Sequence, residues 1–87
     1  MSKNKFNTDN NLIAVIFTST DQRINFSLSC SILENFASIE EKLFKQFPKL
    51  KCKNIYYLAN GGVVNKNLTL KQNKIKNSTN IIINYID

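Results

Sequence analysis

Between residues 23 and 47 the apolar side chains change period once, from two to about 3.6. Few folds accommodate that switch in so short a chain. Residues 23–30 alternate strictly, with Ile24, Phe26 and Leu28 on one face and Asn25, Ser27 and Ser29 on the other, the pattern of a half-buried antiparallel strand. Phe36, Ile39, Leu43 and Phe47 then recur at spacings of three, four and four, which is one stripe of an amphipathic helix. Glu40, Glu41, Lys42 and Lys45 lie mostly off that stripe. Asn35 stands where an N-cap is expected, and Ser38 with Glu41 would make a capping box if the helix began later. Pro48 disfavours helical geometry at Phe47 and ends the helix.

The rest of the chain reads as strands and turns. Residues 11–19 are rich in Ile, Val and Phe and suit a strand. Ile13, Val15 and Phe17 share one face, Ala14 and Ile16 the other. A slip of one residue exchanges the faces, and the apolar run does not decide which faces inward. Thr20-Asp21-Gln22 is a turn signal, so the first two strands form a hairpin. Residues 49–53 read as a basic loop and 54–59 as another strand. Asn60-Gly61-Gly62 supplies the positive-φ positions of a tight turn, Val63-Val64 a short return strand, and Leu70 and Ile75 the anchors of an irregular or 3₁₀ segment. Residues 79–86 form the last strand, with Ile81, Ile83 and Tyr85 on one face and Ile82, Asn84 and Ile86 on the other. Strands with one helix imply an α+β domain, a sheet packed on one helix face. A first and a last strand apolar enough to be central imply the β-grasp, in which those two pair in parallel.

Length and charge bound the function. The 87 residues fill one domain, one that buries only about 60% of the surface its unfolded chain exposes. Residues 11–87 make up that domain, and the polar residues 1–10 are expected to be a flexible tail. No run approaches the ~18 consecutive apolar residues of a membrane span, and no secretory signal is visible, so an intracellular, reducing compartment is expected, the cytoplasm first. The formal net charge is +6, but eleven of the twelve basic residues are lysine, and Arg23 alone offers the planar fork that reads phosphate or guanine in two contacts. The abundance of Asn, Lys and Ile is what an AT-rich genome, such as a protist's, imposes on a chain. There is no histidine, and two cysteines, Cys30 and Cys52, do not make a metal site. Glu34, Glu40 and Glu41 belong to a solvated helix surface and not to an acid–base pair in a cleft. Cys52 sits among lysines, but no base is there to orient it as a nucleophile. No enzyme activity, metal or cofactor is expected.

The C-terminal half resembles ubiquitin. The run Tyr56-Tyr57-Leu58-Ala59-Asn60-Gly61-Gly62-Val63-Val64 looks like that family's third strand and turn. The spacing onward through Leu70, Ile75, Ile81 and Ile83 matches its core positions without a gap, and Phe36, Ile39 and Leu43 repeat its helix core. The resemblance covers residues 11–87 and implies a ubiquitin-like β-grasp, a mixed sheet of four to five strands on one helix. It also implies an ion pair between Glu40 and Lys66, at positions where the family carries the two charges in the opposite order. The family's modifiers act through a C-terminal Gly-Gly, whereas this sequence closes on Asn84-Tyr85-Ile86-Asp87 and has its Gly-Gly in a turn, so conjugation is not expected. By position, the family's apolar recognition patch falls here on Leu58, Ile82 and Asn84 with Gly61 at the rim, flanked by Tyr56 and Ile86. The expected function is non-covalent binding of one or more proteins, as an adaptor or small subunit of a multi-subunit assembly. The rival is a basic accessory protein on RNA, DNA or anionic lipid, using Lys49, Lys51, Lys53, Lys71, Lys74 and Lys76.

Overall fold

A computed structural model describes residues 11–86; residues 1–10, expected as a tail, lie outside the described residues. The strands β1 (Leu12–Ser19), β2 (Asn25–Ser31), β3 (Ile55–Ala59), β4 (Gly62–Val63) and β5 (Thr79–Tyr85) form one sheet in the order β2-β1-β5-β3-β4. The helix α1 (Phe36–Gln46) follows β2, and a 3₁₀ turn (Pro48–Cys52) follows α1. β1 and β5 pair in parallel at the centre, and every other pairing is antiparallel.

The register left open for β1 is settled by burial. Val15 and Phe17 are fully buried and Ile13 packs on the same core, so Ala14 and Ile16 face outward. Ile81 and Ile83 of β5 and Tyr57 and Ala59 of β3 complete the inner face, against Phe36, Ile39 and Leu43 of α1. Tyr57 sits at the middle of the aromatic cluster, 4.8 Å from Phe36 and 6.1 Å from Phe17 between ring centroids, in the tilted and edge-on arrangements that ring quadrupoles favour.

Two local expectations are corrected. Asn35 occupies the N-cap position of α1 but makes no side-chain cap bond. The N–H of Phe36 donates to Leu68 O and that of Ala37 to Lys66 O, so main chain from a distant loop satisfies the first orphan donors of the helix. With the helix starting at Phe36, Ser38 and Glu41 lie inside it and form no capping box. The basic segment after α1 is likewise not a plain loop. Pro48 ends the α-helix and then opens a 3₁₀ turn as its first residue, a position where its missing N–H costs nothing, and the turn buries Leu50 to 3% exposure.

Turn chemistry fixes the remaining geometry. Asn60 and Gly61 both have positive φ, +55° and +81°, and Ala59 pairs with Gly62. This is a two-residue hairpin loop with the dihedral signs of a type I′ turn, the form that matches strand twist. In the β1–β2 turn, the Ser19 hydroxyl donates to Asp21 Oδ1 and accepts from the N–H of Ile24, while the N–H of Arg23 donates to Asp21. The Ser19 bond first, and then the Arg23 bond, hold the Asp21 carboxyl below the usual carboxylate range.

The two cysteines are both free thiols, Cys30 buried and Cys52 exposed. Burial, then the nearby Glu34 charge, pushes the Cys30 thiol up, so its reactive thiolate is suppressed as well as shielded. A thiol reagent at neutral pH is expected to modify one cysteine per native chain, mapped by mass spectrometry to Cys52, and both after denaturation. Native labelling of Cys30 at the rate of Cys52 would contradict the packing around β2.

Candidate protein-binding face

No charged residue lies in any of the five strands. Among the described residues, all the charge is carried by the helix, the turns and the loops. The outer sheet face, opposite α1, is therefore uncharged at every strand position, and its character varies from one edge to the other. On β2 it presents Asn25, Ser27, Ser29 and Ser31. On β5, β3 and β4 it presents mainly apolar groups.

The pairing registers give the arrangement. Leu58 stands opposite Ile82 on one side and Val63 on the other, and Ile82 stands beside Thr18. Val63, Leu58 and Ile82 thus form an unbroken apolar row across three strands, with neighbours about 4.8 Å apart. Tyr56 pairs with Asn84 on the same face. Ile16 lies diagonally from Ile82, beside Asn80. Ile86 follows β5 and is 51% exposed, with its N–H bound to Asn54 O. Tyr56, Leu58, Ile82 and Asn84 are half-buried, and Gly61 is exposed at the tip of the β3–β4 turn.

Beside the apolar row, the side chains of Thr18, Asn80 and Asn84 are engaged within the sheet. The Thr18 hydroxyl donates to Asn80 Oδ1 at 3.0 Å, and the Asn84 amide donates to Ile82 O at 3.3 Å. These bonds tie the polar members to the sheet and leave the apolar row as the available surface.

The structure brings together the six residues assigned to this face from sequence: Tyr56, Leu58, Gly61, Ile82, Asn84 and Ile86. It adds Val63, which is 69% exposed, and Ile16. Val63 was readable in principle, because a two-residue Asn-Gly loop puts the residues flanking it in register and Leu58 opposite Val63. Ile16 was not, because the register of β1 was open.

Glu40 and Lys66 are also brought together. Lys66 Nζ lies 3.2 Å from Glu40 Oε2, and the same oxygen accepts the Tyr57 hydroxyl at 2.8 Å. Burial first, and the Glu40 carboxylate second, drive the Tyr57 hydroxyl well above its ordinary pKa, so it acts as a fixed donor. The other helix-side carboxylate, Glu34, accepts from the N–H of Ser31 and pairs with Lys42 at 3.3 Å. Glu34 and Glu40 therefore each hold a structural contact, and neither faces a second carboxylate across a cleft.

The six lysines of the rival reading are not gathered on one surface. Lys71, Lys74 and Lys76 line a groove beside Ile75 at the start of β5. Lys53 lies 5.6 Å from the Tyr85 ring at the other end of that strand, next to the turn carrying Lys49 and Lys51. A strand of this length separates the two sets by about 20 Å. Among the described residues no helix is long and apolar enough to cross a membrane.

No family model matches the sequence, and neither does any curated protein. Solved structures do match. A de novo design based on ubiquitin superposes with a TM-score of 0.74 at 14% identity, covering 87% of this chain and 90% of the design. The chain has the ubiquitin-like β-grasp fold. The NMR structure of the Arabidopsis thaliana protein At2g32350 agrees, with a TM-score of 0.72 at 13% identity over 88% of this chain and 89% of that one. At such identities a ubiquitin-like fold carries no particular partner with it, so the chemistry of this chain's own surface has to indicate one.

Proposed function

We propose that this ubiquitin-like chain is a non-enzymatic, non-covalent protein-binding module, an adaptor or a small subunit of a larger assembly. The observation that carries the reading is the row Val63, Leu58 and Ile82 with Tyr56 beside it, unbroken by any charge. Interface centres are depleted of charge and enriched in tyrosine, and a contiguous apolar patch on a small soluble domain is normally used. Asn84, Thr18 and Asn80 border the row and would set the orientation of a partner. Tyr56 is the expected anchor, since tyrosine supplies a large, stiff contact area.

The test is recovery of tagged protein from its own cells at two salt concentrations, alongside Leu58→Glu. A charge at Leu58 faces outward and leaves the core untouched, so the variant should fold normally and lose its partners. Partner proteins that survive high salt and vanish with Leu58→Glu support this reading. Nucleic acid or lipid that is released at higher salt, with Leu58→Glu unchanged, would replace it with the basic accessory role, because phosphate binding weakens steeply with salt.

A further inference from the structure

A groove of about 640 Å³ opens at the end of the sheet where the parallel strands β1 and β5 begin. Ile13, Ile32 and Ile75 line it together with Lys71, Lys74 and Lys76. Ile75 is 2% exposed, and Ile13 and Ile32 are half-buried against the core, whereas all three lysines are exposed. The isoleucines are therefore the floor and the lysines the rim. Hydrogen bonds fix the main chain that carries the rim. The N–H of Lys71 donates to Ile32 O, that of Lys74 to Lys71 O and that of Lys76 to the Thr79 hydroxyl, while Lys74 O accepts the Asn60 amide. Asn77 Oδ1 accepts from the N–H of Ala14 and ties the segment to β1.

Two further observations mark the groove. Of the four non-glycine residues with positive φ among the described residues, Asn60 and Lys74 line it, and Ser78 lies between its lining residues Asn77 and Thr79. Such conformations cost about 1–3 kcal/mol each and gather at ligand sites. The charge of the rim is also unanswered within the fold. Glu34 and Glu40 hold Lys42 and Lys66, and no carboxylate lines the groove. Among the described residues, none of Lys71, Lys74 and Lys76 is in an ion pair. Like charges around a concave, low-dielectric opening focus an attraction for anions.

We propose that this groove binds a small amphipathic anion, a carboxylate or phosphate on a short alkyl or aryl body, with the anion among the three lysines and the body on Ile13, Ile32 and Ile75. A mainly apolar cavity of this size with a few convergent polar groups is what small-ligand sites share. The apolar floor argues against a nucleic-acid strand, whose affinity rests on its phosphates. A bilayer surface would rest on the lysines and leave the recessed isoleucines uncovered. Residues 1–10 bring Lys3 and Lys5 against the single Asp9, and a second copy of the chain brings its own +6, so charge disfavours both as occupants.

The probe is octanoate, titrated into the isotope-labelled full chain and followed by NMR. The shifts should centre on Ile13, Ile32, Lys71, Ile75 and Lys76. Octanamide keeps the body and lacks the charge, and should bind at least about fivefold more weakly. Acetate keeps the charge and lacks the body, and should bind at least about tenfold more weakly. The triple reversal Lys71→Glu, Lys74→Glu and Lys76→Glu touches only exposed side chains and should weaken octanoate at least about tenfold. Lys49→Glu with Lys51→Glu, at the far end of β5, should change binding less than about twofold at physiological salt, where charges so distant are screened. The proposal is overturned by no shifts at millimolar octanoate, by octanamide or acetate binding as well as octanoate, or by shifts centred on Leu58 and Ile82. Shifts at the groove that appear only with anionic vesicles, or that a short DNA strand produces at lower concentration than octanoate, would overturn it too. The wild-type titrations with the three small molecules decide the matter even if the triple variant does not fold.

Discussion

Replacing Tyr57 with alanine should cost the protein a large share of its stability, more than Tyr57→Phe, Lys66→Ala or Asn73→Ala. The ring is 1% exposed, lies between Phe17 and Phe36, and ends in a hydroxyl bound to Glu40. Truncating a buried aromatic costs about 3–5 kcal/mol, and a domain of this size has roughly 4–13 kcal/mol in total. Tyr57→Phe separates the two parts. It keeps the ring and removes only a hydrogen bond to a charged acceptor, for a loss of about 1.5–3 kcal/mol. Lys66→Ala should cost less than about 1 kcal/mol, because the lysine is half exposed and such pairs are screened. Urea denaturation of the three variants should therefore rank them Ala, Phe, then Lys66→Ala. A Lys66→Ala loss as large as that of Tyr57→Phe would mean that the carboxylate depends on the lysine and not on the tyrosine.

The second large effect is expected at Asn73, a residue with no apolar role. Its amide donates to Asn65 O, Thr69 O and, at 3.4 Å, Leu68 O, and its carbonyl accepts from the N–H of Asn65. One side chain thus closes the segment that also caps α1 through Lys66 O and Leu68 O. Asn73→Ala is expected to cost about 2–3 kcal/mol, since several backbone groups lose their partners at once and some are half-buried. Asn73→Asp should be nearly as damaging, because a carboxylate cannot donate to the three carbonyls. Hydrogen exchange would show the loss first at the amides of Phe36 and Ala37. Unchanged protection there would contradict the link between the loop and the helix start.

These two residues show what could and could not be read from the sequence. The elements, their order and the β-grasp followed from periodicity, because a period change and an Asn-Gly turn are local signals. Leu58, Ile82 and Tyr56 could be placed on one face because strand alternation relates them once the fold is known. The face on which Ile16 lies could not be read, because residues 12–17 are apolar at every position and only the packed core, where Val15 and Phe17 are fully buried, decides between the two registers. The N-cap position at Asn35 was legible, but the bonds that satisfy the helix start were not: the acceptors, Lys66 O and Leu68 O, are main-chain atoms some thirty residues away and leave no mark in side-chain identity. The 3₁₀ turn was hidden because Leu50 is a single anchor among lysines.

The central claim is that the apolar row on β3, β4 and β5 is the working surface. The most direct measurement compares Leu58→Glu with the triple charge reversal Lys71→Glu, Lys74→Glu and Lys76→Glu, each checked by thermal unfolding and then used to recover partners from the protein's own cells. The account predicts that both variants fold, that Leu58→Glu loses the partner proteins, and that the triple variant keeps them. Retention of partners by Leu58→Glu together with their loss from the triple variant would contradict it and move the binding surface to the lysine-rimmed groove at the start of β5.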